Sequence, residues 1–541
     1  MELKIPLLII VLFSCNLVNS RREPSPKLKN VVPITKGQIF PKPQNQVTFD
    51  NRNILNKKNF HFEYSKESQV CDVISIAFNR YYKIIFGSQY LRNMNDVPSQ
   101  LKSDASSLNR LLVNVHEPCE EYPSLESDES YTLEISTGLA SLESKTLWGA
   151  LRGLESFSQL VVELDDGSLS VNNTLVNDFP RFNHRGILLD TSRHYIRPSI
   201  LKVHLDAMEA NKMNVFHWHI VDDQSFPYVS YTYPELSKMG AYNPYTHVYT
   251  SQDVKEIIEY ARLRGIRVVA EFDSPGHTES WGKGVPILTN CYDGEKPTNE
   301  FGPIDPTKNL TYSFLKTFVK ELTQVFPDKY LHLGGDEVDF SCWESNPAIT
   351  DFMKEKGYGK NYSKLEEYYM QNLLDIVNEV SPKTGYIIWQ EVVDNNVVVK
   401  PDTVVEVWKD PWPEEMAMVT NLGYRALLST CWYLNYISYG DDWIKYYNCE
   451  PMDFKGTDEQ KSLVIGGEAC MWGEYVDGSN VISRTWPRAS AVAERLWSAQ
   501  NVTSVRDAQG RIEEQRCRML KRGIKAEPFN GSGHCEYEVE N

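Results

Sequence analysis

The feature that most restricts how this 541-residue chain folds is a rhythm that starts just after residue 180, where short apolar runs alternate with stretches of helical period. The runs are GILLD (186–190), VFHWHIVD (215–222), RVVAEFD (267–273), YLHLGGDE (330–337), GYIIWQE (385–391), VVEVW (404–408), RALLST (425–430) and LVIGGEACMW (463–472). Amphipathic segments fill most of the gaps, for instance 199–212, 252–265 and 312–326. Eight buried strands joined by helices predict an α/β fold, a (β/α)8 TIM barrel, with its active site at the strand C-termini. After the seventh run the rhythm breaks. CWYLNYISYGDDW (431–443) is aromatic rather than amphipathic and reads as a loop over the barrel mouth.

Ahead of the barrel the pattern is different. Alternating strands such as LLVNVH (111–116) and YTLEIS (131–136) accompany one helix over 146–161, which predicts a smaller α+β domain. Asp178-Phe179-Pro180 punctuates the change, giving expected units of 21–180 for the α+β domain and 181–541 for the barrel with a C-terminal extension. Residues 1–20 carry Lys4, an apolar run from Ile5 to Phe13 and small residues before a cleavage point, the pattern of a secretory signal. That run is too short to span a bilayer, and no later stretch is long enough.

Export leads to two further expectations. Asn172, Asn309, Asn361, Asn501 and Asn530 each open an Asn-x-Ser/Thr sequon. Ten cysteines become nine without Cys15, so at least one thiol stays unpaired within the chain. Cys71 with Cys119, Cys291 with Cys342, and Cys517 with Cys535 would close moderate loops; Cys431, Cys449 and Cys470 remain, and spacing alone leaves the connectivity open.

A formal charge of −17 disfavours nucleic acid and anionic membrane surfaces as partners. The acids are instead concentrated at the ends of the predicted strands. There stand Asp190 and Arg193, Asp222 and Asp223, Asp273 and His277, Asp336 and Glu337, Glu391, Trp408, Tyr433, Trp472 and Glu474. Two chemistries compete for such a mouth. His217 and His219 share one strand face and suggest a metal, but after His332 the next histidine is His534, so the last four strands bring no imidazole. No catalytic metal or cofactor is expected. Glycoside hydrolysis fits better, and 12 tryptophans suit a sugar cleft. In a regular strand Asp336 and Glu337 would face opposite ways, so both reach a substrate only if the chain turns at Gly334-Gly335. Neighbours on one edge do not flank a sugar ring, so the nucleophile must come from another strand or from the substrate itself.

HRGILLDTSRHY (184–195), NVFHWHIVDDQSFP (214–227), AEFDSPGHTESWG (270–282), HLGGDEV (332–338), CWYLNYISYG (431–440) and GGEACMWGEYVD (466–477) together resemble eukaryotic β-N-acetylhexosaminidases of glycoside hydrolase family 20, over nearly the whole mature chain. The resemblance implies retaining hydrolysis of terminal β-linked N-acetylglucosamine and N-acetylgalactosamine, the substrate's own acetamido oxygen attacking to give an oxazolinium. It implies Glu337 as acid/base, Asp336 as the carboxylate on the acetamido N–H, and Tyr433 on its carbonyl oxygen. Arg193 and Glu474 would hold sugar hydroxyls, Trp389, Trp408 and Trp472 would wall the N-acetyl group, and Asp222 with His277 would tune the acid. The charge of Asp336 and partial burial should raise the Glu337 pKa. Asn435-Tyr436 stands where relatives carry Asn-Arg or Asp-Leu, and predicts preference for neutral over 6-sulfated sugars. A homodimer and a lysosomal address, with secretion as the alternative, are also implied. A glycan-binding protein without catalysis and a two-carboxylate retaining glycosidase are the competing readings.

Overall fold

The computed structural model describes residues 37–87, 106–164, 167–438, 440–535 and 538; the signal segment 1–20 lies outside them. Eight parallel strands form a closed barrel: β1 (His184–Asp190), β2 (Val215–His219), β3 (Arg267–Glu271), β4 (Tyr330–His332), β5 (Gly385–Trp389), β6 (Val404–Val407), β7 (Arg425–Leu428) and β8 (Val464–Met471), which closes on β1. Each falls within one of the eight apolar runs or overlaps it. All five residues of β2, β3 and β5 are buried, which explains runs that are apolar on both faces: one face meets the barrel interior and the other the helices.

Helices Pro198–Ala210, Ser251–Arg262 and Asn309–Val325 follow the segments of helical period. Thr250 caps the second of them in a reciprocal box with Asp253, which fixes where it starts. After β7 the aromatic segment forms a short turn, Thr430–Trp432, before a helix at Trp443–Asn448.

The N-terminal domain is an eight-stranded mixed sheet with a separate apolar core. Strands Arg110–Val115 and Tyr131–Ser136 and the helix Leu147–Leu160, capped by Thr146, lie where the sequence suggests. A further helix, Asp72–Phe86, went unread there; its apolar residues are interleaved with polar ones and nothing but Cys71 precedes it as a cap. Buried ion pairs join domain and barrel. Glu129 receives both Arg152 (2.7 Å) and Arg185 (2.7 Å), and Lys212 meets Asp178 at 3.0 Å. Removing one partner of such a pair leaves an uncompensated buried charge, so these contacts fix how the two units dock.

Four disulfides are present among the described residues. Cys71–Cys119, Cys291–Cys342 and Cys517–Cys535 close the loops anticipated from spacing, and Cys431–Cys449 adds a fourth that spacing left open. The last staples the mouth segment after β7. Cys470 is the free thiol, buried in β8.

Candidate active site

β4 is only three residues long, because the backbone leaves extended geometry at once: Gly334 (φ 68°) and Gly335 (φ 100°) adopt the left-handed region, and Glu337 (φ 49°) follows. A Cβ on Gly334 would fall 1.6 Å from Asp273 Oδ1, and one on Gly335 would fall 2.4 Å from Val392 Cγ2. This turn carries both acids to the mouth. Asp336 is buried, whereas the Glu337 side chain keeps 55% of its surface exposed.

One histidine faces both. His277 Nε2 lies 3.6 Å from Glu337 Oε2 and 3.8 Å from Asp336 Oδ2, while Nδ1 lies 3.4 Å from Asp222 Oδ1. Asp222 Oδ2 in turn takes Arg193 and His219, each at 2.9 Å, and Arg193 also holds Asp190 at 3.1 Å. Burial works against the Asp222 charge, but His219, His277 and Arg193 outweigh it and hold its carboxyl well below the usual range. His277 is desolvated too, yet the surrounding carboxylates push it far above an ordinary imidazole.

The sequence expectation for Glu337 is therefore corrected. Its pKa is lowered, not raised: the His277 imidazole 3.6 Å away is the largest influence, and partial burial opposes it without prevailing. Asp336 goes the other way, pushed up first by burial. It hydrogen-bonds Asp273, whose carboxyl is raised further still by burial and by the Asp336 charge. Among the described residues neither Asp336 Oδ1 nor Asp273 Oδ2 has a hydrogen-bond partner. Asp273 Oδ1 also accepts the Gly335 amide at 2.9 Å, which ties the turn to β3.

At the ends of four neighbouring strands, four rings form a closed circuit: Trp389 to Trp408 (6.4 Å between centroids), Trp408 to Tyr433 (6.2 Å, stacked), Tyr433 to Trp472 (6.4 Å) and Trp472 to Trp389 (6.2 Å). Each ring comes from a different barrel element, at or just beyond β5, β6, β7 and β8. Trp389 is anchored below by Glu271, which accepts its indole N–H at 2.9 Å, and Trp408 by Glu391 at 3.0 Å. Arg193 packs its guanidinium over Trp472, 5.1 Å from the ring centre. Glu474 is exposed beyond this wall. Asn435 is half-buried with no partner on Oδ1 among the described residues, and Tyr436 stands exposed beside Tyr433, 5.6 Å between ring centres.

Three residues escaped the sequence reading of the site. Glu271 sits two places from the end of the run RVVAEFD, and a charge inside such a strand is the signal that marks it. Lys409 pairs with Glu391 beside Trp408, a contact with no sequence pattern. The sequence offers His219 only as half of a metal pair, but its Nε2 meets Asp222 Oδ2 at 2.9 Å and so reaches the site. Among the described residues two fully buried groups, His217 with Glu271 and His332 and His217 with Glu406 and Glu468, bring side-chain atoms within 4.8 Å of one another, and their imidazoles pair with their carboxylates.

The chain's likeness to known proteins points the same way as this geometry. Residues 182–500 match the family described as glycosyl hydrolase family 20, catalytic domain, and residues 39–160 the family described as beta-acetyl hexosaminidase like. The chain is 54% identical over 510 residues to beta-hexosaminidase subunit alpha of Bos taurus, spanning 93% of this chain and 96% of that one. It is 52% identical over 489 residues to beta-hexosaminidase subunit beta of Homo sapiens, spanning 90% and 87%. Among solved structures, a chitobiase from Flavobacterium johnsoniae superposes with a TM-score of 0.78 at 29% identity, over 90% of this chain and 73% of that one.

Proposed function

The chain belongs to glycosyl hydrolase family 20, and from that premise we propose that it hydrolyses terminal, non-reducing β-linked N-acetylglucosamine and N-acetylgalactosamine by a retaining route through an oxazolinium. The observation that carries the reading is the side-by-side emergence of Asp336 and Glu337 from one turn at a barrel mouth that also carries a closed circuit of four aromatic rings. Two acids on one edge serve adjacent parts of one sugar, so the attacking group is the substrate's acetamido oxygen.

In this reading the pyranose lies in the mouth with its N-acetyl group inside the Trp389, Trp408, Tyr433 and Trp472 enclosure, which excludes water from the reacting centre. Asp336, as the carboxylate, accepts the acetamido N–H and balances the positive charge that builds as its carbonyl oxygen closes on the anomeric carbon. Tyr433 donates its hydroxyl to that oxygen. Glu337 gives its proton to the departing glycosidic oxygen, then takes one from the water that opens the oxazolinium. Arg193 and Glu474 grip the outer hydroxyls, and Asn435 lies beside them at the rim.

The free site holds its acids in the opposite order from the one needed, with Glu337 low and Asp336 high. Substrate reverses this order: its N–H favours the Asp336 charge, and its leaving group displaces water from Glu337. Low pH raises the protonated share of Glu337, which suits an acidic compartment. We place the protein, exported by its signal segment, in the lysosome, with secretion as the alternative, and read it as a homodimer. Among the sequons, Asn309, Asn361 and Asn501 are exposed and best placed for glycans, whereas Asn172 is half-buried and donates its amide to the Phe49 carbonyl at 3.0 Å.

Hydrolysis of an aryl β-N-acetylglucosaminide tests the reading. Glu337→Gln should fold normally and lose roughly three orders of magnitude in kcat. A thiazoline mimic of the oxazolinium should bind the wild type far more tightly than the substrate does. A wild type inert to the aryl glycoside, or indifferent to the thiazoline, overturns it.

A further inference from the structure

Beneath the mouth the barrel interior holds a set of charged side chains that the proposed reaction does not use. His184 from β1, His217 and His219 from β2, Glu271 from β3, His332 from β4, Glu406 from β6 and Glu468 from β8 are all buried. A barrel interior is ordinarily filled by branched apolar side chains, and each buried charge is costly unless paired. Here imidazoles and carboxylates alternate in contact, while Glu406 keeps both oxygens without a hydrogen-bond partner among the described residues. His184 Nε2 meets Glu468 Oε1 at 2.5 Å, His217 Nδ1 meets Glu468 Oε2 at 2.7 Å, and His217 Nε2 meets Glu271 Oε2 at 3.1 Å. His332 approaches Glu271 at 3.3 Å and Glu406 at 3.5 Å.

Glu271 is where this set joins the mouth. Its Oε1 accepts the indole N–H of Trp389, and its Oε2 takes Nδ1 of His219 in a short contact. From His219 the contacts run outward to Asp222 (2.9 Å), from Asp222 to His277 (3.4 Å), and from His277 to Glu337 (3.6 Å). We infer that Glu271 is a positioning residue for the reaction, one buried carboxylate that holds the N-acetyl enclosure through Trp389 and the acid/base through His219, Asp222 and His277. The inference rests on the acid/base reading of Glu337.

The charges around each link fix the expected direction. Glu271 faces His217, His219 and His332, with Asp273 and Asp336 near it toward the mouth; His219 faces Glu271, Asp222 and Asp190; Glu337 faces His277, Lys409 and Arg193. The negative charge of Glu271 keeps His219 cationic, and it also disfavours a second negative charge on Asp336. Without it, His219 loses its proton and leaves Asp222 free to draw His277 away from Glu337, so the Glu337 carboxyl rises. Asp336 is relieved of a repelling neighbour and falls.

The test is the pH profile of kcat/KM on an aryl β-N-acetylglucosaminide for full-length Glu271→Gln, His219→Gln and Trp389→Phe, with Glu337→Gln as control. Glu271→Gln keeps an acceptor for Trp389 but not the charge. Its acid limb should move up and its alkaline limb down, drawing the bell together by roughly 0.5 pH unit or more, with kcat down about tenfold and KM little changed. His219→Gln should move the acid limb alone, and Trp389→Phe should change KM and kcat with limbs unmoved. Profiles of Glu271→Gln and His219→Gln superimposable on the wild type overturn the inference while Glu337→Gln stays inactive; an active Glu337→Gln overturns the underlying reading instead. Should Glu271→Gln not fold, the His219→Gln and Trp389→Phe profiles decide by the same criterion.

Discussion

His277 Nε2 and Glu337 Oε2 stand 3.6 Å apart at the mouth, and the same imidazole nitrogen is 3.8 Å from Asp336 Oδ2. A single cation thus acts on both acids of the proposed reaction. It lowers both carboxyls, and for Glu337 it is the leading influence.

Replacing His277 by Asn therefore moves both limbs of the kcat/KM profile to higher pH. Loss of a neighbouring full charge is worth on the order of one pH unit at this separation and exposure. The optimum should follow, and activity at pH 5 should drop several-fold while activity at pH 7 drops less. Initial rates across pH 3 to 9 on an aryl β-N-acetylglucosaminide check this; an unmoved optimum would detach His277 from the acids.

Asp336→Asn removes the charge that balances the acetamido nitrogen but keeps a side chain of the same shape. Because that charge is needed in the transition state more than in the bound ground state, kcat should fall roughly 10²- to 10³-fold with KM changed only a few-fold. Asp273→Asn is expected to do less to kcat, because Asp273 meets the substrate only through Asp336. Steady-state kinetics of the two variants separates a carboxylate that touches the substrate from one that acts through its neighbour.

Tyr436 is 57% exposed beside Tyr433 and offers a ring rather than a guanidinium to a 6-sulfate. The wild type should prefer neutral aryl glycosides over their 6-sulfated counterparts by at least tenfold in kcat/KM, and Tyr436→Arg should narrow that ratio about tenfold. Equal turnover of both substrates by the wild type would exclude Tyr436 as the discriminating position.

How much of this was legible beforehand depends on whether a feature is periodic or is made by contacts between distant segments. All eight barrel strands were readable because each is an apolar run of its own, and the turn at Gly334-Gly335 was readable because only glycine accepts that backbone beside Asp273. The Glu337 pKa was not: its direction is set by His277, 60 positions away in sequence, whose ring is aimed by Asp222 and by a positive φ at its own backbone. Glu271 was passed over because a lone acid in an apolar run shows nothing of the three histidines that fold around it. The fourth disulfide, Cys431–Cys449, needed the turn and helix after β7 to bring its ends together.

Glu366 gives the fold itself a pH dependence. It is buried on the helix Tyr362–Val380, and burial pushes its carboxyl up to about 8, with Glu391 and Asp336 adding to the rise and Asn395 and Lys409 opposing it. The folded protein therefore holds this proton more tightly than the unfolded chain, whose glutamates titrate near 4.5. Where the native state binds more protons, stability falls as pH rises. The contribution is complete below about pH 4.5, declines through the interval up to about 8, and is flat beyond it. Half-buried Glu415, raised to about 7 by burial and by Asp394, adds to the same slope. Thermal unfolding should thus show the protein more stable at pH 5 than at pH 7.5, with Glu366 alone responsible for something on the order of 3 kcal/mol. Glu366→Gln mimics the protonated side chain at every pH, so it should flatten the slope and raise Tm at pH 7.5 while leaving Tm at pH 5 nearly unchanged. A variant that loses stability equally at both pH values would show that the side chain is held ionised.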